Sequence, residues 1–202
     1  MVKRIVLTGG PCAGKTTALS NIEEVLTEKG YIVFIVNESA TELIKGGIKP
    51  NNMGMFNFQK LILKYQLEKE KVYEESLKYI PKNKNVVIIY DRGLMDSKSY
   101  VTEEDFKELF KEFKLTESAV LSRYDAIIHL VTAADGAEEY YTLENNEARS
   151  ENAEEARILD KRTLNNWVGH NDIRIIDNST NFDKKLDRVM ENIYSLIGHP
   201  IY

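Results

Sequence analysis

Eight consecutive residues near the start of the chain have the spacing of a phosphate-binding loop. The run Gly9-Gly10-Pro11-Cys12-Ala13-Gly14-Lys15-Thr16 fits G-x-x-x-x-G-K-[ST] at every fixed position and lies between an apolar strand pattern and a helical pattern. The glycines allow successive backbone N–H groups to point at phosphate oxygens, the lysine reaches the β and γ phosphates, and the threonine hydroxyl binds Mg²⁺. The pattern predicts a site for a nucleoside triphosphate with Mg²⁺ as cofactor.

A second group of polar residues follows the apolar run Val86–Tyr90. Asp91 comes directly after this run, at the place where proteins with a phosphate loop carry the carboxylate that orients Mg²⁺ or its waters. We therefore predict that Asp91 and Thr16 form the metal site. The next residue, Arg92, can contact a phosphoryl group; the alternative is a surface arginine paired with a neighbouring acid.

An acidic residue also follows the next candidate strand, which ends at Val36. Open parallel sheets bind ligands at the carboxyl ends of their strands, so we predict that Glu38 lies near the phosphate loop. There a carboxylate can accept a proton from an acceptor hydroxyl, or hold that hydroxyl for in-line attack. The alternative is a loop carboxylate close to a helix start.

Residues from about 133 to 170 depart from the simple strand and helix alternation. Ala133–Ser150 is polar and acidic, and Glu151–Trp167 has the pattern of a charged helix. We predict an excursion above the sheet that is mobile and acts as a lid. Arginines on such a flap can stabilise the charge of a transferred phosphoryl group. The alternative for Arg157, three residues after Glu154, is a surface ion pair. The arginines in or beside this segment are Arg149, Arg157 and Arg162.

The elements that must position these side chains are short β-branched runs alternating with longer helical patterns. This alternation predicts an α/β fold, and the continuous apolar runs are typical of strands covered by helices on both faces. The predicted strands are Arg4–Thr8, Tyr31–Val36, Val86–Tyr90, Ala126–Val131 and Ile173–Ile176. The predicted helices are Lys15–Lys29, Phe56 to about Tyr79, Glu103–Phe113, and a last helix from about Phe182 to Leu196 that stops at Gly198. In the second of these, the predicted core face is Phe58, Leu61, Ile62, Tyr65, Val72 and Tyr73.

Length and charge limit the remaining classes. The 202 residues predict one domain spanning residues 1–202, and a net charge of −5 argues against a general nucleic-acid binder. Cys12 is the only cysteine, and the three histidines lie far apart in sequence, so we expect neither a disulfide nor a zinc site. No signal-peptide pattern is seen, and the longest apolar run, about six residues, is far below the roughly 20 needed to span a bilayer. These features predict a soluble cytoplasmic protein without an integral membrane segment.

With these residues in view, the chain resembles the nicotinamide riboside kinase-like P-loop proteins, which are also described as AAA-domain-like. The likeness extends over nearly the whole chain and beyond the phosphate loop. It is carried by Tyr90-Asp91-Arg92-Gly93, Arg123-Tyr124-Asp125, Thr132-Ala133-Ala134-Asp135-Gly136-Ala137, Asn146 to Arg149, the Ala156/Asp160/Trp167 pattern and Asp177-Asn178-Ser179-Thr180.

The resemblance implies a three-layer P-loop fold with a five-stranded parallel sheet in the kinase-like order 2-3-1-4-5, and a helical lid. In this reading the strand ending at Asp91 lies beside the strand ending at Thr8. Glu38 matches the acid that deoxynucleoside kinase-like enzymes place beside the acceptor hydroxyl, and Arg149 to Arg162 match the lid. The catalytic residues implied are Lys15, Glu38, Asp91, Arg92, Arg149 and Arg157. The nucleotide-binding residues implied are Gly9, Gly10, Pro11, Cys12, Ala13, Gly14, Lys15, Thr16, Thr17 and Asn178.

The predicted function is Mg²⁺-dependent transfer of a phosphoryl group from ATP to a small, nucleoside-like hydroxyl acceptor. GTP is the other candidate donor, but the loop Asn178–Thr180, which the resemblance places near the base, lacks an Asn-Lys-x-Asp guanine-reading motif. The resemblance does not fix the acceptor. One alternative is a nucleotide-binding switch that acts through a partner protein or membrane. Another is slow nucleotide hydrolysis, for which no water-positioning residue is evident.

Overall fold

The computed structural model describes residues 1–141 and 152–198, and in them five parallel strands form one sheet with helices on both faces. The strand order is β2-β3-β1-β4-β5, so the predicted order 2-3-1-4-5 is confirmed. All five predicted strands are present, with bounds that shift by two residues or fewer. The strands are β1 (Val2–Gly9), β2 (Ile32–Val36), β3 (Val86–Asp91), β4 (Ala126–Leu130) and β5 (Ile173–Ile176).

Seven α-helices occur in the described residues, and local sequence signals explain where several of them begin and end. Thr102, Thr116, Asn152 and Asn181 each cap a helix by accepting a backbone N–H in its first turn. The two short helices α2 and α5 were not predicted from the sequence, because runs of five to seven residues show too little periodicity. The helices are α1 (Lys15–Glu28), α2 (Ser39–Lys45), α3 (Met55–Ser76), α4 (Glu103–Glu112), α5 (Glu117–Leu121), α6 (Ala153–Asn165) and α7 (Phe182–Ile197).

Two hydrophobic layers hold the sheet between the helices. Alternate residues of β1 point to opposite faces: Ile5 and Leu7 pack in the layer with α1 and α7, whereas Val6 packs in the layer with α3 and α4. Side chains on both faces of the central strands are buried, which explains why their sequences are continuously apolar. The carboxyl ends of these rigid strands carry the polar residues that the sequence singles out.

The predicted core face of α3 is wrong in part. Phe58 and Ile62 are buried as predicted, but Tyr65 and Val72 are 38% and 62% exposed. The buried face instead includes polar side chains: Gln66 donates to the Arg92 carbonyl oxygen after β3, and Glu70 accepts from Arg123 and Tyr124 before β4. These polar residues are Gln59, Gln66 and Glu70.

The segment predicted as a lid contains α6 in its described part. The inner face of this helix is buried, with Ala156, Asp160 and Thr163 all less than a tenth exposed. Its mobility and its role as a lid stay predictions. In residues 1–141 and 152–198, no helix is both long enough and apolar enough to cross a membrane.

Candidate active site

The phosphate loop turns sharply between β1 and α1, and two of its glycines are required by the geometry. Gly14 has φ +89° and a Cβ there would lie 2.5 Å from the ring of Phe182, while a Cβ on Gly9 would overlap the backbone of Leu130. Helix α1 then begins with no side-chain cap and no acid in its first turn. The backbone N–H groups of its first turn and its dipole therefore favour an anion in the loop.

The side chain of Lys15 is folded back over this loop. Its Nζ donates hydrogen bonds to the carbonyl oxygens of Gly9, at 3.2 Å, and Gly10, at 3.1 Å. The next residues, Thr16 and Thr17, are exposed at the mouth of the cleft. The ammonium group thus lies against the loop that the motif assigns to phosphate binding, and its contact with phosphate oxygens stays a prediction.

Strand register brings Glu38 and Arg92 together from two different strands. Val36 pairs with Tyr90 across β2 and β3, so the residues two positions further on emerge side by side. Arg92 Nε donates to Glu38 Oε1 at 2.5 Å, and Arg92 also donates from Nη1 to the Gly9 carbonyl at 3.2 Å. Arg92 is therefore paired with an acid, as the alternative for this residue states. The pair does not lie on the open surface, however, but in the cleft beside the phosphate loop.

The electrostatic setting keeps Glu38 ionised. Burial alone would raise the pKa of this carboxyl, but the nearby positive charges of Arg92 and Lys15 and a hydrogen bond from Thr41 together lower it to about 2. Thr41 Oγ1 donates to Glu38 Oε2 at 2.5 Å. Both oxygens of Glu38 are thus fixed in orientation, one by each partner.

Asp91 lies at the end of β3 and pairs with Leu7 of β1. Since Leu7 is two residues before the start of the phosphate loop, this pairing places Asp91 next to the loop. Its Oδ1 is buried and has no hydrogen-bond partner among the described residues. Burial raises the pKa of Asp91 to about 6; Glu38 and Asp96 add to this shift, while Lys15 and Arg92 oppose it. An unpartnered buried carboxylate oxygen is unfavourable unless a cation or a donor satisfies it.

These features fit a magnesium ion. Mg²⁺ is commonly held by one or two protein oxygen ligands while phosphate oxygens and waters complete its shell, and Thr16 and Asp91 line the same cleft. In the described part of the chain, no cluster of three His, Cys, Asp or Glu side chains is arranged to hold a metal by itself. The predicted metal residues, Thr16 and Asp91, stay a prediction that this geometry supports.

The far side of the cleft has an apolar wall with buried amides, which the sequence did not reveal. Helix α3 contributes Phe58, Ile62, Gln59 and Gln66, and Tyr100 closes the wall from the segment after β3. Gln66 Nε2 donates to the Arg92 carbonyl oxygen at 3.0 Å and so supports the turn that carries Arg92. Because these residues are far apart in sequence, only the fold brings them to Glu38.

The opposite end of the cleft is formed by the loops after β4 and β5. Asn178 Nδ2 donates to the carbonyl oxygens of Thr132, at 2.8 Å, and Asp135, at 2.7 Å, and its Oδ1 accepts from Lys185 Nζ at 2.7 Å. Asn178 thus joins three segments instead of presenting a free amide. Phe182, at the start of α7, exposes part of its ring in the same region.

The cleft as a whole has a volume of about 2110 Å³, more than the roughly 300–1,000 Å³ of a single small-molecule pocket. It has room for two ligands side by side, one on the phosphate loop and one on the α3 wall. The predicted site residues that line it are Pro11, Cys12, Ala13, Gly14, Lys15, Thr16, Thr17, Glu38, Asp91, Arg92 and Asn178. Gly9 and Gly10 lie at its floor, where their carbonyl oxygens accept from Lys15.

The predicted lid arginines are placed differently. Arg157 Nη1 donates to the Ala134 carbonyl at 2.6 Å and lies 3.9 Å from Glu138 Oε1, so it ties α6 to the loop after β4. It does not line the cleft formed by the described residues. Arg162 is exposed on α6. Arg149 lies outside the described residues, and its catalytic role stays a prediction.

A family model described as an AAA domain matches residues 4–185. The chain belongs to this family. No curated protein matches the chain. This family agrees with the P-loop family that the chain resembles in sequence. The matched residues include the phosphate loop from Gly9 to Thr16.

Two solved structures of a deoxyadenosine kinase from M. mycoides share the fold. One, with the products dCMP and a flexible dCDP bound, is 18% identical with a TM-score of 0.59, and the match covers 97% of this chain and 100% of that chain. The other, with bound dATP, is 18% identical with a TM-score of 0.60, and the match covers 96% and 99%. This likeness confirms the kinase-like P-loop fold.

Proposed function

We propose that the protein is a Mg²⁺-dependent phosphotransferase that moves the γ-phosphoryl group of ATP, or of GTP, to a hydroxyl group of a small nucleoside-like acceptor. The observation that carries this proposal is the Glu38–Arg92 pair, held between the phosphate loop and the apolar wall of α3. A protein that only bound a nucleotide would have no need for an oriented, buried carboxylate at that place.

In the proposed reaction each group of the chain has a separate task. Lys15 and the N–H groups of the loop hold the β and γ phosphates, and Arg92 neutralises charge on the transferred group. Glu38 accepts a hydrogen bond from the acceptor hydroxyl and holds its oxygen in line with the γ-phosphorus. Magnesium, when bound near Thr16 and Asp91, screens the negative charge of the phosphates.

The low pKa of Glu38 indicates how it acts. A carboxylate with a pKa of about 2 is a weak base at neutral pH, so it orients the hydroxyl more than it removes the proton early. This suits phosphoryl transfer, in which positioning and charge neutralisation contribute more than covalent chemistry. The hydroxyl proton passes to Glu38 as the new O–P bond forms.

The acceptor wall supports a ring-bearing acceptor. Phe58, Ile62 and Tyr100 offer apolar surface for a flat ring, and the buried amide of Gln59 offers a donor and an acceptor for the polar edge of that ring. Within the described residues, Gln59 Nε2 makes one hydrogen bond, a weak one to Met55 Sδ at 3.7 Å. The deoxyadenosine kinase that shares the fold acts on a substrate of this kind, as its name states.

The experiment is a transfer screen with γ-labelled ATP and GTP against nucleosides, nucleotides and pyridine ribosides. The proposal expects a labelled product with at least one hydroxyl acceptor, formed only with Mg²⁺ present. No product from any acceptor, together with a partner protein captured only in the nucleotide-bound state, would contradict it and favour a nucleotide-dependent switch.

A further inference from the structure

The buried face of α6 contacts the phosphate loop from below, and this contact explains a sequence pattern that the proposed chemistry leaves unused. Of the pattern Ala156/Asp160/Trp167, the first residue packs in the interior of the fold, and Trp167 Nε1 donates to Asp96 Oδ1 at 2.8 Å. Asp96 also accepts from Thr8 Oγ1 at 2.8 Å, at the end of β1. Asp160, the middle residue of the pattern, is a buried carboxylate to which the proposed phosphoryl transfer assigns no role.

Asp160 is bonded to the backbone of two segments that form the floor of the nucleotide site. Its Oδ1 accepts from Gly10 N in the phosphate loop at 2.6 Å and from Thr132 N, just after β4, at 3.3 Å. The packing is close: a Cβ on Gly10 would lie 2.7 Å from that same oxygen. One carboxylate oxygen thus fixes the loop to the end of β4.

Two basic side chains, those of His129 and Lys185, lie near the Asp160 carboxylate. His129 Nε2 lies 3.2 Å from Asp160 Oδ1, outside hydrogen-bond geometry, and the buried ammonium group of Lys185 on α7 interacts with Asp160 through its charge. Burial lowers the pKa of Lys185 to about 8, with Asp160 acting in the opposite direction. A negative charge below a phosphate-binding loop opposes anion binding by simple electrostatics. Its presence there therefore has to be explained by the hydrogen bonds it makes.

We propose that Asp160 is a positioning residue that preorganises the phosphate loop: its Oδ1 holds Gly10 and Thr132 in the nucleotide-binding conformation and joins α6 to the loop. The inference rests on the nucleotide site of the proposed function, but it does not depend on phosphoryl transfer. The hydrogen-bond acceptor is what matters, and the charge is a cost that the site tolerates.

The acceptor and the charge can be separated by substitution. Asp160→Asn keeps an Oδ1 acceptor and removes the charge, whereas Asp160→Ala removes both. Asp160→Leu removes both while keeping a side chain that branches at Cγ, and it serves if the alanine variant does not fold. Glu154→Ala, which deletes an exposed carboxylate of the same helix, is the matched control.

Two readouts are measured on each variant: amide hydrogen exchange of Gly10 and Thr132 without nucleotide, and ATP affinity by calorimetry. We expect Asp160→Ala and Asp160→Leu to speed exchange of the Gly10 amide and to lower ATP affinity roughly 10- to 100-fold, the equivalent of one charge-assisted hydrogen bond. Asp160→Asn should retain Gly10 protection and bind ATP at least as tightly as the wild type, and Glu154→Ala should match the wild type.

The inference is overturned if Gly10 protection and ATP affinity survive in a folded alanine or leucine variant, or if asparagine is as damaging as leucine. Failure of the proposed function looks different. In that case no acceptor gains the labelled phosphoryl group from the wild type, while the Gly10 amide still loses protection in Asp160→Leu and regains it in Asp160→Asn.

Discussion

Replacing Asp91 with asparagine should make the ligand-free protein more stable while removing its response to magnesium. The carboxyl has a pKa raised from 3.8 to about 6, and its Oδ1 has no hydrogen-bond partner in the described residues. A shift of about two units corresponds to about 3 kcal/mol of unfavourable energy in the ionised folded state. The amide of the variant is itself a buried polar group that needs hydrogen-bond partners, so we expect a gain of about 1–3 kcal/mol for Asp91→Asn at pH 7.5.

The sign of the pH dependence follows from the raised pKa. Stability from the protonated carboxyl is fully present below the unfolded value of 3.8 and is lost as pH rises through about 6. The stability advantage of Asp91→Asn should therefore be small near pH 4 and complete above pH 7. Glu38, with its pKa of about 2, stays ionised in both proteins over this range and cancels in the comparison.

Thermal unfolding of wild type and variant tests this reasoning. For a domain of this size, 1–3 kcal/mol corresponds to a rise in Tm of about 2–12 °C at pH 7.5 without ligand. Adding Mg²⁺ and ATP should reverse the order, since the wild type gains binding energy that the amide cannot match. Asp187→Asn, an exposed carboxylate of α7, is the control.

The account of Asp91 is refuted if the ligand-free variant melts at or below the wild-type temperature at pH 7.5. It is also refuted if the difference in Tm is the same at pH 4 and pH 7.5. An undiminished magnesium response in the variant would place the metal elsewhere.

Three further predictions concern the loop, the turn after β3 and the excursion. Lys15→Ala should remove most ATP affinity while the fold remains, measured by calorimetry, because one cation contacting two phosphates is lost; unchanged affinity would mean that the loop is not the site. Gly93→Ala should lower Tm well below that of the wild type, since a Cβ there would overlap the ring of Trp167. Because Trp167 is the only tryptophan of the chain, its emission reports on this contact, and an unchanged Tm with unchanged emission would contradict the close packing. Amide exchange across residues 137–167 should slow when ATP binds, and equal exchange with and without ATP would argue against a lid.

The sheet and the phosphate loop could be predicted because their signals are local. The strands are short, mostly apolar runs, and the loop from Gly9 to Thr16 is a contiguous motif whose spacing is set by phosphate geometry. Glu38 and Asp91 could also be found, since both follow the carboxyl ends of strands. Parallel order then brings them to one edge of the sheet.

The rest of the site depends on contacts between distant parts of the chain. Gln59 and Gln66 look like surface residues of an amphipathic helix, and only the position of α3 over the turn after β3 shows that they are buried. Asp160 lies in a charged helix, and its bond to Gly10 spans 150 residues. Helical periodicity shows which residues share a face of a helix, but not which face packs against the rest of the fold. For this reason the periodicity of α3 predicts Tyr65 and Val72 in the core, although both are exposed.

The central claim is that Glu38 serves the acceptor and not the nucleotide. It is tested most directly by measuring ATP affinity and phosphoryl transfer side by side in wild type, Glu38→Gln and the exposed control Glu68→Gln, with the best acceptor from the screen. We predict that Glu38→Gln keeps ATP affinity nearly intact and lowers transfer by about 10²–10⁴-fold, while Glu68→Gln changes neither. Equal product formation by wild type and Glu38→Gln would contradict the account.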